Sequence, residues 1–236
     1  MKKILLLFIL LATVTFSGCV ARKIPGKDAF YSTKSPSLTV RFNDLKYQGE
    51  YKSTIKAANI HTCFYADPKG DKGAWIEIID VRQGWDIRPK RVPGKHFPNT
   101  GVFTRKIAGE DYYGRSFMIL PDKNKRSSES LPDYTAVRIY TKLISTKKKI
   151  SIGFAEKIDP AAAKKIFSHP DYKDLTKEQK DFFAAFGKRA DSALTLKKFQ
   201  KGDINDEIKS AVAIKAPWYK STDFMPIAQQ VGKVQR

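Results

Sequence analysis

Ile60-His61-Thr62-Cys63-Phe64-Tyr65, followed by Asp67-Pro68-Lys69-Gly70-Asp71-Lys72-Gly73 and then Trp75-Ile76-Glu77-Ile78-Ile79-Asp80-Val81, is the stretch on which the fold turns. In an extended chain alternate side chains point to opposite faces. Ile60, Thr62 and Phe64 therefore share one face, and His61, Cys63 and Tyr65 the other. The middle segment collects the residues that bend a chain, with proline, glycine and aspartate together. The last segment is a second extended run. Residues 57–82 predict a β-hairpin.

The same period of two extends outward, from Leu38 to about Ala155. Leu38, Val40 and Phe42 alternate with Thr39 and Arg41, and Tyr112 to Leu120 reads as a further strand. Tyr134 to Ile144 and Ile150 to Phe154 read as a second hairpin, with Thr146-Lys147-Lys148-Lys149 as its solvated tip. Gln83 to Gly101 and Pro121 to Pro132 are long irregular connections, a kind of segment that often carries function. Past Asp159 the period becomes that of a helix. Asp159-Pro160 is a helix start, with a carboxylate at the cap and proline in the first turn. Thr176-Lys177-Glu178-Gln179 is a capping box. It opens a longer helix whose Phe182, Phe183, Phe186, Ala190 and Leu194 form one apolar stripe. A weaker helix starts near Asp203. The fold class that follows is α+β: an antiparallel sheet of about six strands over residues 38–155, covered by C-terminal helices over 160–196, in a single domain over 37–236.

With 42% hydrophobic and 12% aromatic residues the chain can bury a substantial core. It has two cysteines and a formal charge of +20. Such a surface favours anionic partners: phospholipid head groups, glycans or wall polymers. There is no zinc-finger spacing, RNA-recognition signature or basic helix with interleaved aromatics, so nucleic acid is not an expected partner.

At the N-terminus, Lys2 and Lys3 precede an apolar run from Ile4 to Ala12, and Ser17-Gly18 stand directly before Cys19. A basic start, a short apolar core and small residues before a processing point mark an export signal. The segment resembles the lipobox of bacterial lipoproteins, in which the cysteine thiol receives a diacylglycerol and the chain is cut just before it. Phe16 departs from that pattern, where a smaller aliphatic residue is usual. The resemblance implies a signal peptide over 1–18, lipid on Cys19, and a membrane-anchored protein of the cell envelope. Val20, rather than aspartate, follows the cysteine; in a cell with two membranes this resembles the outer-membrane pattern, facing the periplasm. Residues 19–36 then read as a basic tether, with Arg22, Lys23, Lys27 and Lys34 able to lie on anionic head groups. With lipid on Cys19, Cys63 has no partner for a disulfide.

Two sets of residues are candidates for chemistry. His61 and Cys63 share a strand face, which suits a Cys-His nucleophile or two metal ligands; the competing reading is the buried free cysteine of an ordinary core. Trp85, Arg88, Lys90, Arg91, Lys95, His96 and Phe97, continuing to Phe103 and Arg105, form a basic and aromatic loop suited to an anionic glycan or lipid head group. No serine elbow, zinc-protease motif, phosphate loop or Cys-x-x-Cys is present. The expectation is a lipid-anchored envelope protein that binds or scaffolds at an anionic surface or with another envelope protein, with no catalytic residues and no cofactor. The alternatives are an enzyme or metal-binding protein using His61 and Cys63, and a subunit of an envelope secretion or transport assembly.

Overall fold

The computed structural model describes residues 22–55, 57–88, 98–120, 134–167, 174–215 and 233–235. The hairpin read from residues 57–82 is β5 (Ala58–Ala66) and β6 (Lys72–Val81), antiparallel with Cys63 opposite Ile76. It supplies the second and third strands of a seven-stranded antiparallel sheet. β4 (Lys46–Ile55) lies outside β5, and β11 (Lys148–Lys157) lies beside β6. Beyond β11 follow β10 (Thr135–Ser145), β9 (Glu110–Ile119) and β8 (Phe103–Ile107). The sheet is thus two meanders joined where β6 meets β11.

A second, four-stranded sheet has the order β1 (Lys23–Pro25), β2 (Ala29–Ser32), β3 (Leu38–Phe42) and β12 (Leu194–Lys197). Phe30, Leu38, Val40 and Phe42 of this sheet share one buried cluster with Cys63, Tyr65, Ile76, Ile78, Ile150, Ile152 and Phe154 of the large one. Phe42 and Tyr65 stack with ring centres 3.8 Å apart. The Tyr65 hydroxyl donates to the Ala29 carbonyl at 2.7 Å, so the ring's polar end is satisfied inside the core. The architecture is therefore α+β and dominated by two antiparallel sheets, rather than one sheet with helices alone as its cover.

The helices finish that cover. Asp159 caps α1 (Pro160–Ile166) by accepting from Ala162 N at 2.9 Å. Thr176 and Gln179 form the capping box of α2 (Lys177–Ser192) with both reciprocal bonds made. Phe183, Phe186 and Ala190 of α2 are buried in the same cluster as the two sheets. The apolar stripe docks on the sheet as its spacing requires.

The opposite face of the large sheet is buried too. Phe64, Trp75, Phe117, Ile119, Val137, Ile139 and Ala155 form its cluster, with Ile214 packed against them. Trp75 lies across Gly153 of the neighbouring strand: a Cβ built there would sit 2.1 Å from the indole ring. Ile87 of β7 (Asp86–Arg88), fully buried, packs with Ala58, Ile60 and Ile79 at one end. β7 pairs with β13 (Lys233–Gln235).

Several expectations are corrected. Residues 19–36 are not a tether throughout: from Lys23 the chain is in β1 and β2, where Ile24, Ala29, Phe30 and Tyr31 are buried. Strands also form outside the six that alternation marked, at β1, β2, β4, β7, β8, β12 and β13. Residues 194–197 belong to a strand rather than the end of a helix, and only a 3₁₀ turn, Lys201–Asp203, stands where a weak helix was read. At the second hairpin the turn is Thr146-Lys147, and Lys149 is 1% exposed because alternation turns it onto the buried second face. Among the described residues no helix is long and apolar enough to cross a membrane.

Candidate metal centre

The face that His61 and Cys63 share gains a third chemical group from β4, and the reason is one extra residue. Tyr47 pairs with Tyr65, and the next register pair is Gly49 with Phe64, so Gln48 is bulged out. Without the bulge Glu50 would stand opposite Thr62 and point to the other face. With it, Glu50 stands opposite Cys63. Gly49 makes the bulge possible: its φ is +147°, and a Cβ there would meet the Val212 carbonyl oxygen at 2.6 Å. Residues 212–214 run beside β4 at this point. Glu50 N donates to Val212 O at 2.8 Å and Ile214 N to Glu50 O at 3.0 Å.

The result is a cluster of Glu50, His61 and Cys63 whose ligand atoms all lie within 4.8 Å of one another. His61 Nε2 is 2.8 Å from Glu50 Oε2 and 3.7 Å from Cys63 Sγ. Lys52 donates to the other carboxylate oxygen, Oε1. Cys63 is 1% exposed and Glu50 8%, whereas the His61 side chain keeps 19% of its surface open to solvent. Burial pushes the Cys63 thiol up to about 12, with the Glu50 carboxylate adding to the effect. Burial also pushes His61 below its ordinary value, against the hydrogen bond to Glu50. For Glu50 the burial cost is outweighed by Lys52 and His61, and its pKa is lowered.

This arrangement bears on the two chemistries read from the sequence. A nucleophilic triad needs two imidazole nitrogens, one facing the nucleophile and the other held by the carboxylate. Here Nε2 faces both. A reactive thiol also needs a depressed pKa and access, and Cys63 has neither. Three different donor atoms converging on one point suit a metal ion instead. Glu50 was not among the candidates drawn from the sequence. The signal that marks it is the isolated Gly49 inside a strand, which points to a bulge.

One end of the large sheet carries the second feature. Lys23 reaches across from β1 to Asp80 of β6 at 2.8 Å, and Lys148 of β11 binds the same carboxylate at 3.3 Å. Val81 N donates to Lys147 O at 2.9 Å and Arg82 N to Ala57 O at 3.0 Å. The start of β1, Ala57, the end of β6 and the 145–148 turn therefore lie together. Arg22, Lys34, Arg82 and Lys147 are exposed there, beside Ile55, an exposed apolar side chain.

Of the loop residues read as a binding site, Trp85 is half-buried and its carbonyl accepts from Lys147 Nζ. Arg88 is in β7, its backbone paired with Lys233. Lys90, Arg91, Lys95, His96 and Phe97 lie outside the described residues, as does Cys19. Phe103 and Arg105 sit on β8 at the other edge of the sheet and serve packing. Arg105 donates to the Tyr140 hydroxyl at 2.6 Å, Arg138 bonds Asp191 of α2 at 3.0 Å, and the Arg138 guanidinium lies 4.7 Å over the Phe103 ring. They fasten α2 to the sheet. No protein-family model, curated protein or solved structure matches the chain.

Proposed function

We propose that the chain is a lipid-anchored protein of the bacterial cell envelope, held by acyl chains on Cys19, with a binding rather than a catalytic role at an anionic membrane surface. The observation that carries this reading is the lipobox-like segment, with Lys2 and Lys3, the apolar run Ile4 to Ala12 and Ser17-Gly18 directly before Cys19; the short link from Cys19 to the folded body then sets how the body would lie. Only Val20, Ala21 and Arg22 separate Cys19 from the first residue of β1. The four steps from Cys19 to Lys23, at ~3.3 Å each, reach about 13 Å, less than half the thickness of a bilayer's hydrocarbon core. An acylated Cys19 would therefore hold the start of β1 against the head groups, and with it the end of the sheet that exposes Arg22, Lys34, Arg82 and Lys147. Each lysine or arginine near an anionic surface is worth about 1 kcal/mol, and less for Arg22 and Lys147, which already pair with Glu207 at 3.0 Å and Asp86 at 2.8 Å. Acylation supplies the hold, and these charges set the orientation.

The test is metabolic labelling with radioactive palmitate followed by detergent phase partitioning. The wild-type chain is expected to carry label and enter the detergent phase, and Cys19→Ser to lose both properties. An exported wild-type chain without label would overturn the reading. The charged end is tested separately with mature Cys19→Ser protein and vesicles containing anionic phospholipid. Binding should weaken as salt rises, and fall at least tenfold when Arg22, Lys34, Arg82 and Lys147 are all changed to glutamate.

A further inference from the structure

We propose that Glu50, His61 and Cys63 form a binding site for one divalent transition-metal ion of borderline softness, with Zn²⁺ as the best match. A thiolate, an imidazole and a carboxylate together are the donor set of such ions and not of calcium or magnesium, which take oxygen ligands.

The distances fit after a small adjustment. With metal–nitrogen and metal–sulfur bonds of about 2.0 and 2.3 Å, tetrahedral geometry separates the two donor atoms by about 3.5 Å. His61 Nε2 and Cys63 Sγ are 3.7 Å apart. The carboxylate and imidazole, now 2.8 Å apart through a hydrogen bond, need only open by about half an ångström to accept a metal between them. That movement costs little, because Glu50 Oε1 stays held by Lys52 while Oε2 turns to the ion. The backbone under the site is fixed from both sides, by β5 and by residues 212–214. Such support keeps the ligands in place before the ion arrives. His61, at the open side, is the way in. Three protein ligands leave a fourth position for water.

Binding is balanced in atoms and charge. Cys63 enters as a thiol, and its S–H proton leaves to solvent as the metal–sulfur bond forms. The imidazole binds through the Nε2 lone pair, and any proton on that nitrogen leaves too. No electron is transferred. The site is independent of Cys19 and of the membrane reading.

The experiment uses the full chain in detergent, stripped with a chelator and titrated with Co²⁺ and then Zn²⁺. Cobalt bound to a thiolate gives a sulfur-to-metal charge-transfer absorption in the near ultraviolet. The expected result is one equivalent of Co²⁺ with that absorption, displaced by one equivalent of Zn²⁺. Cys63→Ser should abolish the absorption. His61→Gln and Glu50→Gln should each weaken Zn²⁺ at least tenfold while circular dichroism stays unchanged. Because Cys63 is buried and its variant is at risk of misfolding, the half-open His61 carries the decisive comparison. A folded wild-type chain that takes up no cobalt overturns the proposal. So does a His61→Gln chain that is folded and binds zinc as tightly as the wild type.

Discussion

Replacing Gly49 with alanine would place a Cβ 2.6 Å from the Val212 carbonyl oxygen and 2.7 Å from Ile214 Cγ2, at a φ of +147°. One of these neighbours is backbone and cannot swing aside. Gly49→Ala should therefore cost about 1–3 kcal/mol, read as a lower urea midpoint with an unchanged slope. Asp203 is a second residue with a specific consequence. Its carboxylate accepts from Thr39 Oγ1 at 2.7 Å, Lys197 Nζ at 2.5 Å and Gln200 N at 3.0 Å. Burial raises its pKa, but these partners outweigh burial and the net shift is downward. A lowered pKa in the folded state means that the group stabilises the fold above its unfolded value of about 3.9, and that this stabilisation is lost as pH falls through the folded value. Asp203→Asn should cost about 1–3 kcal/mol at neutral pH. The difference between variant and wild type should shrink below about pH 4, measured as urea midpoints across a pH series. At this scale the sequence tells half of the site. His61 and Cys63 share a face because strands alternate, a rule that needs two residues only. Glu50 joins them through a bulge, a decision made by Gly49 together with a segment more than 160 positions away in the chain.

Helix α2 shows an element whose boundaries are written locally. Thr176 accepts from Gln179 N at 3.2 Å, and Gln179 Oε1 accepts from Thr176 N at 3.1 Å. Thr176→Ala should cost about 1 kcal/mol by thermal unfolding. Phe186, fully buried between the helix and the sheet, should cost about 3–5 kcal/mol when cut to alanine. The strands divide in a telling way. β5, β6, β9, β10 and β11 lie inside the large sheet, are buried on both faces for much of their length, and are legible as apolar runs. The strands that alternation misses include both outer strands of the large sheet, β4 and β8, and both of the small one, β1 and β12. An outer strand keeps exposed charged and polar side chains, as Lys46, Lys52, Thr104 and Lys106 are here, and that is what erases its pattern. β1 and β2 are hidden further by their brevity, three and four residues, among prolines and lysines.

At the scale of the molecule, the pairing of the two sheets is the feature that no local period contains. Phe30, Val40 and Phe42 come from the first part of the chain, Leu194 from the last, and they meet in one core with β5, β6 and α2. Arg138 of β10 and Asp191 of α2 fasten the helix onto the same core. The pairing of β3 with β12, Phe42 opposite Leu194, has a consequence for the order of events in the cell. The small sheet cannot close until nearly the whole chain has been made, and contacts so distant in sequence form slowly. On the export proposed above, that delay would keep the leading portion incomplete and passable while the rest is still on the ribosome. The same delay leaves the edge of β3 open until β12 has been made. That edge is where a holding chaperone would act, and where, without one, two nascent copies would pair with each other.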